Sequence, residues 1–256
     1  MNTRLSELMT LGVVTVSPTT SMESCTALME ERRISSLVVN DNGLPVGIIT
    51  ERDVLGALSC QIALDTPVER VMGKPLVTAR GEDDYCEAVR MFARHSIRHV
   101  VIVDAAGKLA GIVSETDLCR KGNLIGLVGE CSIDSAVDQN PVLLPRDTAI
   151  AAAAMWMGRG RQSSVFVVDG ARPVGILTER DMVKQYREGR GGEEIDGIVS
   201  TPVATIRSGS LMIEAIEQMR SLSIRHLAVV DGKGDIVAQL SENDILRTAG
   251  ATGGCA

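Results

Sequence analysis

The stretch Gly47 to Asp53, GIITERD, returns as GIVSETD from Gly111 to Asp117, as GILTERD from Gly175 to Asp181, and as AQLSEND from Ala238 to Asp244. The four starts are 64, 64 and 63 residues apart. So regular a period means one folding unit used four times. Outward from each copy the same signals recur in the same order. A short extended piece opens the unit (Val13 to Val16, Leu76 to Thr78, Val142 to Leu144, Val203 to Thr205). A helix follows, marked by apolar residues at helical spacing, such as Val89, Phe92 and Ala93, or Met212, Ala215, Ile216 and Met219. Next comes an unbroken apolar run, Leu37 to Val39, Val100 to Val103, Val165 to Val168 or Leu227 to Val230, which reads as a buried strand. An Asp- and Gly-rich turn leads to the strand that carries the quoted motif, and a second helix starts at its end.

The unit is therefore β-α-β-β-α, an α/β (α+β) fold too small to bury its apolar faces alone. The expected bounds are 1–60, 61–124, 125–190 and 191–256. The copies alternate. Before the long strand, units one and three carry Ile34-Ser35-Ser36 and Gln162-Ser163-Ser164, whereas units two and four carry Ile97-Arg98-His99 and Ile224-Arg225-His226. The motif alternates as well, T-E-R-D in the odd units against S-E-T-D or S-E-N-D in the even ones. An A-B-A-B order suggests a pair duplicated once, 1–124 and 125–256, with a boundary between Lys121 and Asp134. Glu188 to Gly197, rich in glycine and mixed charge, reads as a flexible joint between units three and four.

Composition narrows the function classes. Apolar residues make up 45% of the 256-residue chain but aromatics only 2%, so the core must be aliphatic. A formal charge of −7, with no stretch combining dense Lys and Arg with aromatics, argues against nucleic acid or an anionic membrane as partner. The six cysteines, Cys25, Cys60, Cys86, Cys119, Cys131 and Cys255, show no metal-ligand spacing and read as thiols of a reducing compartment. No secretory leader and no apolar span of membrane length are visible, which points to the cytoplasm. Catalysis would need a nucleophile beside a base, a tuned pair of carboxylates or an open metal site. No G-x-S-x-G, H-E-x-x-H or phosphate loop ending in G-K-[ST] occurs, so neither an enzyme nor a catalytic cofactor or metal is expected.

The period, the β-α-β-β-α order, the x-V-V-D-x-x-G turn and the h-[ST]-x-x-D motif resemble cystathionine-β-synthase (CBS) domains, which pair into Bateman modules. The resemblance runs from about Leu5 to Arg247. It implies a regulatory protein that binds AMP, ADP, ATP or a related adenosyl ligand in clefts between paired units. Units one with two, and three with four, would form the modules, able to stack as a flat disk within one chain or across a homodimer. The gamma subunit of AMP-activated protein kinase is similar in carrying four units.

A Ser or Thr followed three residues later by an acid is an ordinary helix start, with the hydroxyl capping amides and the acid meeting the positive end of the dipole. A carboxylate is also an acceptor-only group able to take two vicinal hydroxyls, as a ribose offers. The resemblance assigns that role to Asp53, Asp117, Asp181 and Asp244, with Thr50, Ser114, Thr178 and Ser241 beside them. All four copies keep the acid, where a mere cap could drift to Glu, Gln or Asn. Arginine presents a planar fork matched to phosphate oxygens, and histidine adds a further donor. Arg98-His99 and Arg225-His226 are therefore candidates for the ligand phosphates, against a solvated strand edge as the plainer reading. Arg52 and Arg180 could face the same phosphates or bridge to Glu51 or Glu179; Arg33 and Arg161 are weaker candidates. Thr15, Thr78 and Thr205 lie in the opening strand, where the family reads the adenine; unit three departs there with Leu143 and Leu144, and unit four carries Ala238 in place of the motif glycine. The expected partners are an adenine nucleotide and a regulated protein. The rivals are a ligand-free scaffold and a binder of a phosphate-free adenosyl ligand such as S-adenosylmethionine.

Overall fold

A computed structural model describes residues 3–160 and 162–251. Arg161 and Cys255 lie outside them. After a short helix α1 (Leu5–Leu8), repeat one runs β1 (Thr15–Val16), α2 (Met22–Arg32), β2 (Ser36–Asp41), β3 (Leu44–Thr50) and α3 (Glu51–Ser59). Repeat two runs β4 (Thr78–Arg80), α4 (Tyr85–His95), β5 (His99–Val103), β6 (Leu109–Ser114) and α5 (Glu115–Lys121), followed by α6 (Leu124–Val128). Repeat three runs β7 (Leu143–Leu144), α7 (Ile150–Gly160), β8 (Ser164–Asp169), β9 (Arg172–Thr178) and α8 (Glu179–Arg187). Repeat four runs β10 (Thr205–Arg207), α9 (Met212–Leu222), β11 (His226–Val230), β12 (Ile236–Ser241) and α10 (Glu242–Ala251). The expected β-α-β-β-α order holds in every copy.

Each repeat builds one three-stranded sheet with the long strand in the middle. The opening strand pairs parallel to it and the motif strand antiparallel, so Val38 has Thr15 on one side and Ile48 on the other. The central strand is buried on both faces in its apolar run, as Leu37, Val38 and Val39 illustrate. The first helix of repeats one, two and four stops at a residue in the left-handed region, Arg33, Ser96 and Ser223, with φ of 53°, 52° and 55°. In α2 that residue's amide bonds back to the carbonyls of Met29 and Glu30.

The chain divides into two compact units, and they unite alternate repeats. One unit holds Val14–Leu76 with Val142–Val203, that is, repeats one and three. Its aliphatic core includes Met22, Met29, Val54 and Leu55 from the first of these and Ile150, Met157, Leu177 and Met182 from the other. Helix α3 packs against α7 and α8. The second unit holds the chain up to Val13, Val77–Pro141 and Ala204 onward, that is, repeats two and four. There α10 packs against α4, α5 and α6, over a core with Phe92, Leu118, Leu124, Ile216 and Ile245. Like repeats thus pack with like, which gives the A-B-A-B order a structural meaning that counting periods did not expose.

The segments leading into each repeat are ordered and exchanged. Thr10, ahead of repeat one, makes a two-bond bridge to Ile112 of repeat two; Gly73, ahead of repeat two, makes one to Ile48 of repeat one. Asp138, ahead of repeat three, bridges Gln239 of repeat four; Ser200, ahead of repeat four, bridges Ile176 of repeat three. Every bridge lands on the residue after the motif's first position. That explains the glycine there: a Cβ on Gly47, Gly111 or Gly175 would lie 2.2 Å from Met72 Sδ, 2.6 Å from Met9 Sδ and 2.9 Å from Val199 Cβ. Ala238 in repeat four is buried and accommodated, so its departure concerns the leader's packing. The two stretches expected as linkers are built in as well. Lys121 to Asp134 contains α6, with Leu124 and Val128 buried, and Glu188 to Gly197 is pinned where Ile150 N bonds Glu193 O at 2.8 Å and Ala151 N bonds Gly191 O at 2.8 Å. Among the described residues no helix is long and apolar enough to cross a membrane.

Because Val199 Cβ is stiff and close, Gly175→Val should lower the urea midpoint, by an amount equivalent to about 1–3 kcal/mol. A matched substitution at exposed Gly192, where an added Cβ meets nothing within 4 Å, should leave the midpoint nearly unchanged.

Candidate functional site

The four aspartates all sit at the third position of a helix and close the same local ring. Asp53 Oδ2 accepts from Thr50 Oγ1 at 2.7 Å and from Thr50 N at 2.8 Å. The matching distances are 2.6 and 3.0 Å for Asp117 with Ser114, 2.8 and 2.7 Å for Asp181 with Thr178, and 2.6 and 2.9 Å for Asp244 with Ser241. One carboxylate oxygen is thus consumed by the helix cap in every repeat. In the even repeats the other is held too: Asp117 Oδ1 meets Lys121 Nζ at 2.8 Å, and Asp244 Oδ1 meets Arg247 Nη2 at 3.1 Å. Asp53, Asp117 and Asp181 are half-buried and Asp244 is buried. Burial pushes the carboxyls of Asp181 and Asp244 above the usual range, while the bonds from Thr178 and Ser241 pull back.

In the unit of repeats two and four, strand register brings the basic dipeptides to these caps. His99 pairs directly with Ser114, and His226 with Ser241. The first amide of each helix also returns to the dipeptide, Glu115 N to Arg98 O and Glu242 N to Arg225 O, both at 3.1 Å. The two dipeptides share one electrostatic neighbourhood. Burial first, then Arg98 and Arg225, push the His99 imidazole down to about 3, with Asp117 opposing. Burial, then Arg225 and Arg98, push His226 down to about 3 as well. At neutral pH both imidazoles are therefore uncharged, each with one N–H to donate, beside two permanent cations. The serine pairs occupy the corresponding register in the other unit, Ser36 opposite Thr50 and Ser164 opposite Thr178.

In the unit of repeats one and three, Arg52 and Arg180 form ion pairs crosswise. Arg52 Nε donates to Glu179 Oε1 at 3.2 Å, and Arg180 Nε to Glu51 Oε1 at 2.9 Å. The glutamates are 1% and 2% exposed at their side chains, so each arginine neutralises a carboxylate that is out of water. The even repeats repeat this exchange without cations: Thr116 Oγ1 donates to Glu242 Oε2 at 2.7 Å, and Asn243 Nδ2 bonds Glu115 Oε1. Burial raises the Glu242 carboxyl, and the bond from Thr116 counters it. The bridge to Glu51 or Glu179 that the sequence offered as the alternative for Arg52 and Arg180 is thus formed, crosswise between the repeats, whereas Glu115 and Glu242 escaped the sequence reading, although Glu stands two residues before the Asp in every copy of the motif. Thr15, Thr78 and Thr205 are exposed at the start of their strands, opposite Val38, Val101 and Ala228, and Leu143 takes that place in repeat three. Among the described residues no group of His, Cys, Asp and Glu is arranged to hold a metal ion.

The CBS domain family model matches residues 5–60, 68–123, 128–188 and 194–250. The chain belongs to the CBS domain family. Protein MJ1225 of Methanocaldococcus jannaschii is 25% identical over 266 residues, covering 92% of this chain and 94% of its own. Its crystal structure, described as that of a candidate archaeal homolog of g-AMPK, superposes with a TM-score of 0.85 at 23% identity over 96% of this chain and 99% of that one, so the four-CBS fold is shared. Protein MJ1404 of the same organism is 25% identical over 91% of this chain, a match spanning 59% of the longer relative. The CBS domain protein PAE2072 from Pyrobaculum aerophilum, complexed with AMP, is 31% identical over 46% of this chain and 91% of its own, with a TM-score of 0.44.

The depressed histidines of the even CBS repeats set a pH dependence. Their folded value of about 3 lies below the ordinary 6.5, so the unfolded chain takes up protons first as pH falls. Their contribution to stability is complete above pH 6.5 and is lost progressively towards pH 3. The raised Asp181, Asp244 and Glu242 act in the opposite sense, so the comparison must be with a variant. Between pH 7 and pH 5 the urea midpoint of the wild type should fall more than that of His99→Gln/His226→Gln, by on the order of 1–2 kcal/mol per histidine. Parallel pH profiles would place the imidazoles in water.

Proposed function

We propose that this chain is a regulatory nucleotide sensor that binds AMP, ADP or ATP at its CBS repeats and passes occupancy to a partner protein. The observation that carries the reading is the gathering, in one compact unit, of Asp117, Arg98, His99, Arg225 and His226 within mutual electrostatic influence. The cap fixes each aspartate at a helix N-terminus, a fit partner for sugar hydroxyls. Two guanidinium forks and two neutral imidazole donors suit a phosphoryl tail whose charge varies between AMP and ATP. The odd repeats direct Arg52 and Arg180 through Nε to buried glutamates, and the even repeats hold Arg98 and Arg225 beside the caps, where they are the proposed phosphate readers.

Consecutive repeats act as regulatory pairs, one with two and three with four, a reading supported by the exchange of their leading segments. A ligand that binds one arrangement of such a pair better than another shifts its population and thereby its affinity for a partner. The family likeness and the absence of any motif for bond-making chemistry in the sequence support a regulatory role.

Calorimetry with AMP, ADP, ATP and S-adenosylmethionine tests the reading. Adenylate binding should weaken about tenfold or more in Asp117→Asn and in Asp244→Asn. Arg98→Ala/Arg225→Ala should weaken ATP more than AMP and leave S-adenosylmethionine unaffected. Binding of S-adenosylmethionine alone, insensitive to the arginines, would replace the nucleotide by a phosphate-free adenosyl ligand. No heat and no rise in melting temperature at millimolar ligand would leave a scaffold.

A further inference from the structure

The leading segments of repeats one and two are seated by sulfur. Each is a short helical turn, Leu5–Leu8 or Val68–Arg70, followed by a methionine and then by the residue that bridges the motif strand. Met9 and Met72 hold that middle place, each tied back into its turn, Met9 N to Leu5 O and Met72 N to Val68 O, both at 2.8 Å. Their thioethers lie over the motif glycines. Sδ and Cγ of Met72 are the atoms nearest the point where a Cβ on Gly47 would begin, and Sδ and Cγ of Met9 those nearest the same point on Gly111. The bridges follow at once, Gly73 with Ile48 and Thr10 with Ile112. Both methionines are half-buried against an aliphatic core, so each side chain keeps a face toward solvent. Met22, Met29, Met157, Met182, Met212 and Met219 are buried, whereas Met91 and Met155 are half-buried on α4 and α7, away from any leader.

A thioether is apolar, and its sulfoxide is a polar, chiral group that seeks water. Over a glycine notch the change replaces a close apolar contact by an S–O dipole against Gly47 or Gly111, where the strand leaves no room for a further atom. We propose that Met9 and Met72 are oxidative modification sites, at which a peroxide transfers one oxygen atom to Sδ and unseats the leader from its motif strand. Sulfur is oxidised and forms the S–O bond; the peroxide O–O bond breaks, and hydrogen peroxide is reduced to water. The bridge is the part at risk, because its two hydrogen bonds are made by the residue next to the methionine. The second half of the chain is built differently. Its leaders carry Val137 and Val199, which peroxide does not oxidise, and Val199 Cβ takes the place of the sulfur at Gly175. Sensitivity is therefore confined to the leaders of repeats one and two. It needs no nucleotide and stands apart from the aspartate caps.

The test is amide hydrogen exchange of the full chain before and after hydrogen peroxide, with oxidation mapped by peptide mass. Met9 and Met72 should each gain the mass of one oxygen atom, and the amides of Thr10, Ile48, Gly73 and Ile112 should then exchange about tenfold faster or more. The amides of Asp138, Ile176, Ser200 and Gln239, which form the bridges of the sulfur-free leaders, should keep their protection in the same molecule. Met9→Leu/Met72→Leu conserves volume, so it should keep the wild-type circular dichroism spectrum and hold all eight amides protected in peroxide. Methionine sulfoxide reductases acting on both epimers, and not a thiol reductant alone, should restore the wild-type exchange. Three results would overturn the proposal. One is oxygen on both methionines with the four amides unchanged. Another is acceleration that persists in the leucine variant or extends equally to the sulfur-free bridges. The third is Met9 and Met72 left intact where Met91 and Met155 are oxidised.

Discussion

A carboxylate withdrawn from water at the first turn of a helix has the helix dipole in its favour, yet it still needs a partner to offset its lost hydration. Glu51, Glu115, Glu179 and Glu242 are all in that position, and each finds its partner one residue past the corresponding glutamate of a like repeat. The exchange is reciprocal. Arg52 serves Glu179 while Arg180 serves Glu51, and Thr116 serves Glu242 while Asn243 serves Glu115. Such a bond can form twice only if two similar helix starts face each other about an approximate twofold axis. The requirement therefore selects which repeats pack together, and with them the composition of both aliphatic cores.

The same requirement separates the two kinds of unit chemically. Charged pairs in the odd repeats tie up arginine at the second helical position, whereas hydroxyl and amide in the even repeats leave that position neutral. The even unit then carries its cations one strand earlier, as Arg98 and Arg225, where register sets the neighbouring histidines against the serine caps. Burial beside those cations keeps the imidazoles uncharged, while the guanidinium groups carry the charge. In the unit of repeats one and three, Arg33, Arg180 and Lys184 line a pocket together with Glu30 and Glu51.

Much of this was legible because it is local. A Ser or Thr with an acid three residues on, apolar residues at helical spacing and an unbroken Val-rich run each announce an element within about a dozen residues, and all four copies folded as read. The caps were legible for the same reason. What escaped depends on contacts across more than a hundred residues, such as Thr116 with Glu242, 126 positions away. One signal for it was present: Glu is as constant as Asp in the four motifs, and the odd copies add an arginine of complementary charge next to it. The ordered leaders were hidden because backbone pairing needs no side-chain signature. Their trace was the motif glycine, kept where a passing chain leaves no room for a Cβ.

Under the proposed function, the aspartates would serve as helix caps and as ligand acceptors at once. The cap bonds occupy Oδ2 and orient the carboxylate, which removes the rotameric freedom a free side chain would lose on binding a sugar. In Asp117 and Asp244 the second oxygen already meets Lys121 or Arg247, on side chains 46% and 60% exposed. A vicinal diol can take that oxygen by displacing a solvated cation, a small loss for an exposed pair. The released lysine or arginine then lies next to whatever the diol belongs to, and an anionic ligand retains the cation that a neutral one would leave to solvent. In the proposed sensor, ligand charge would thus be read at both ends of the even repeats, by the dipeptides on the strand and by the basic residue one helical turn beyond the acid.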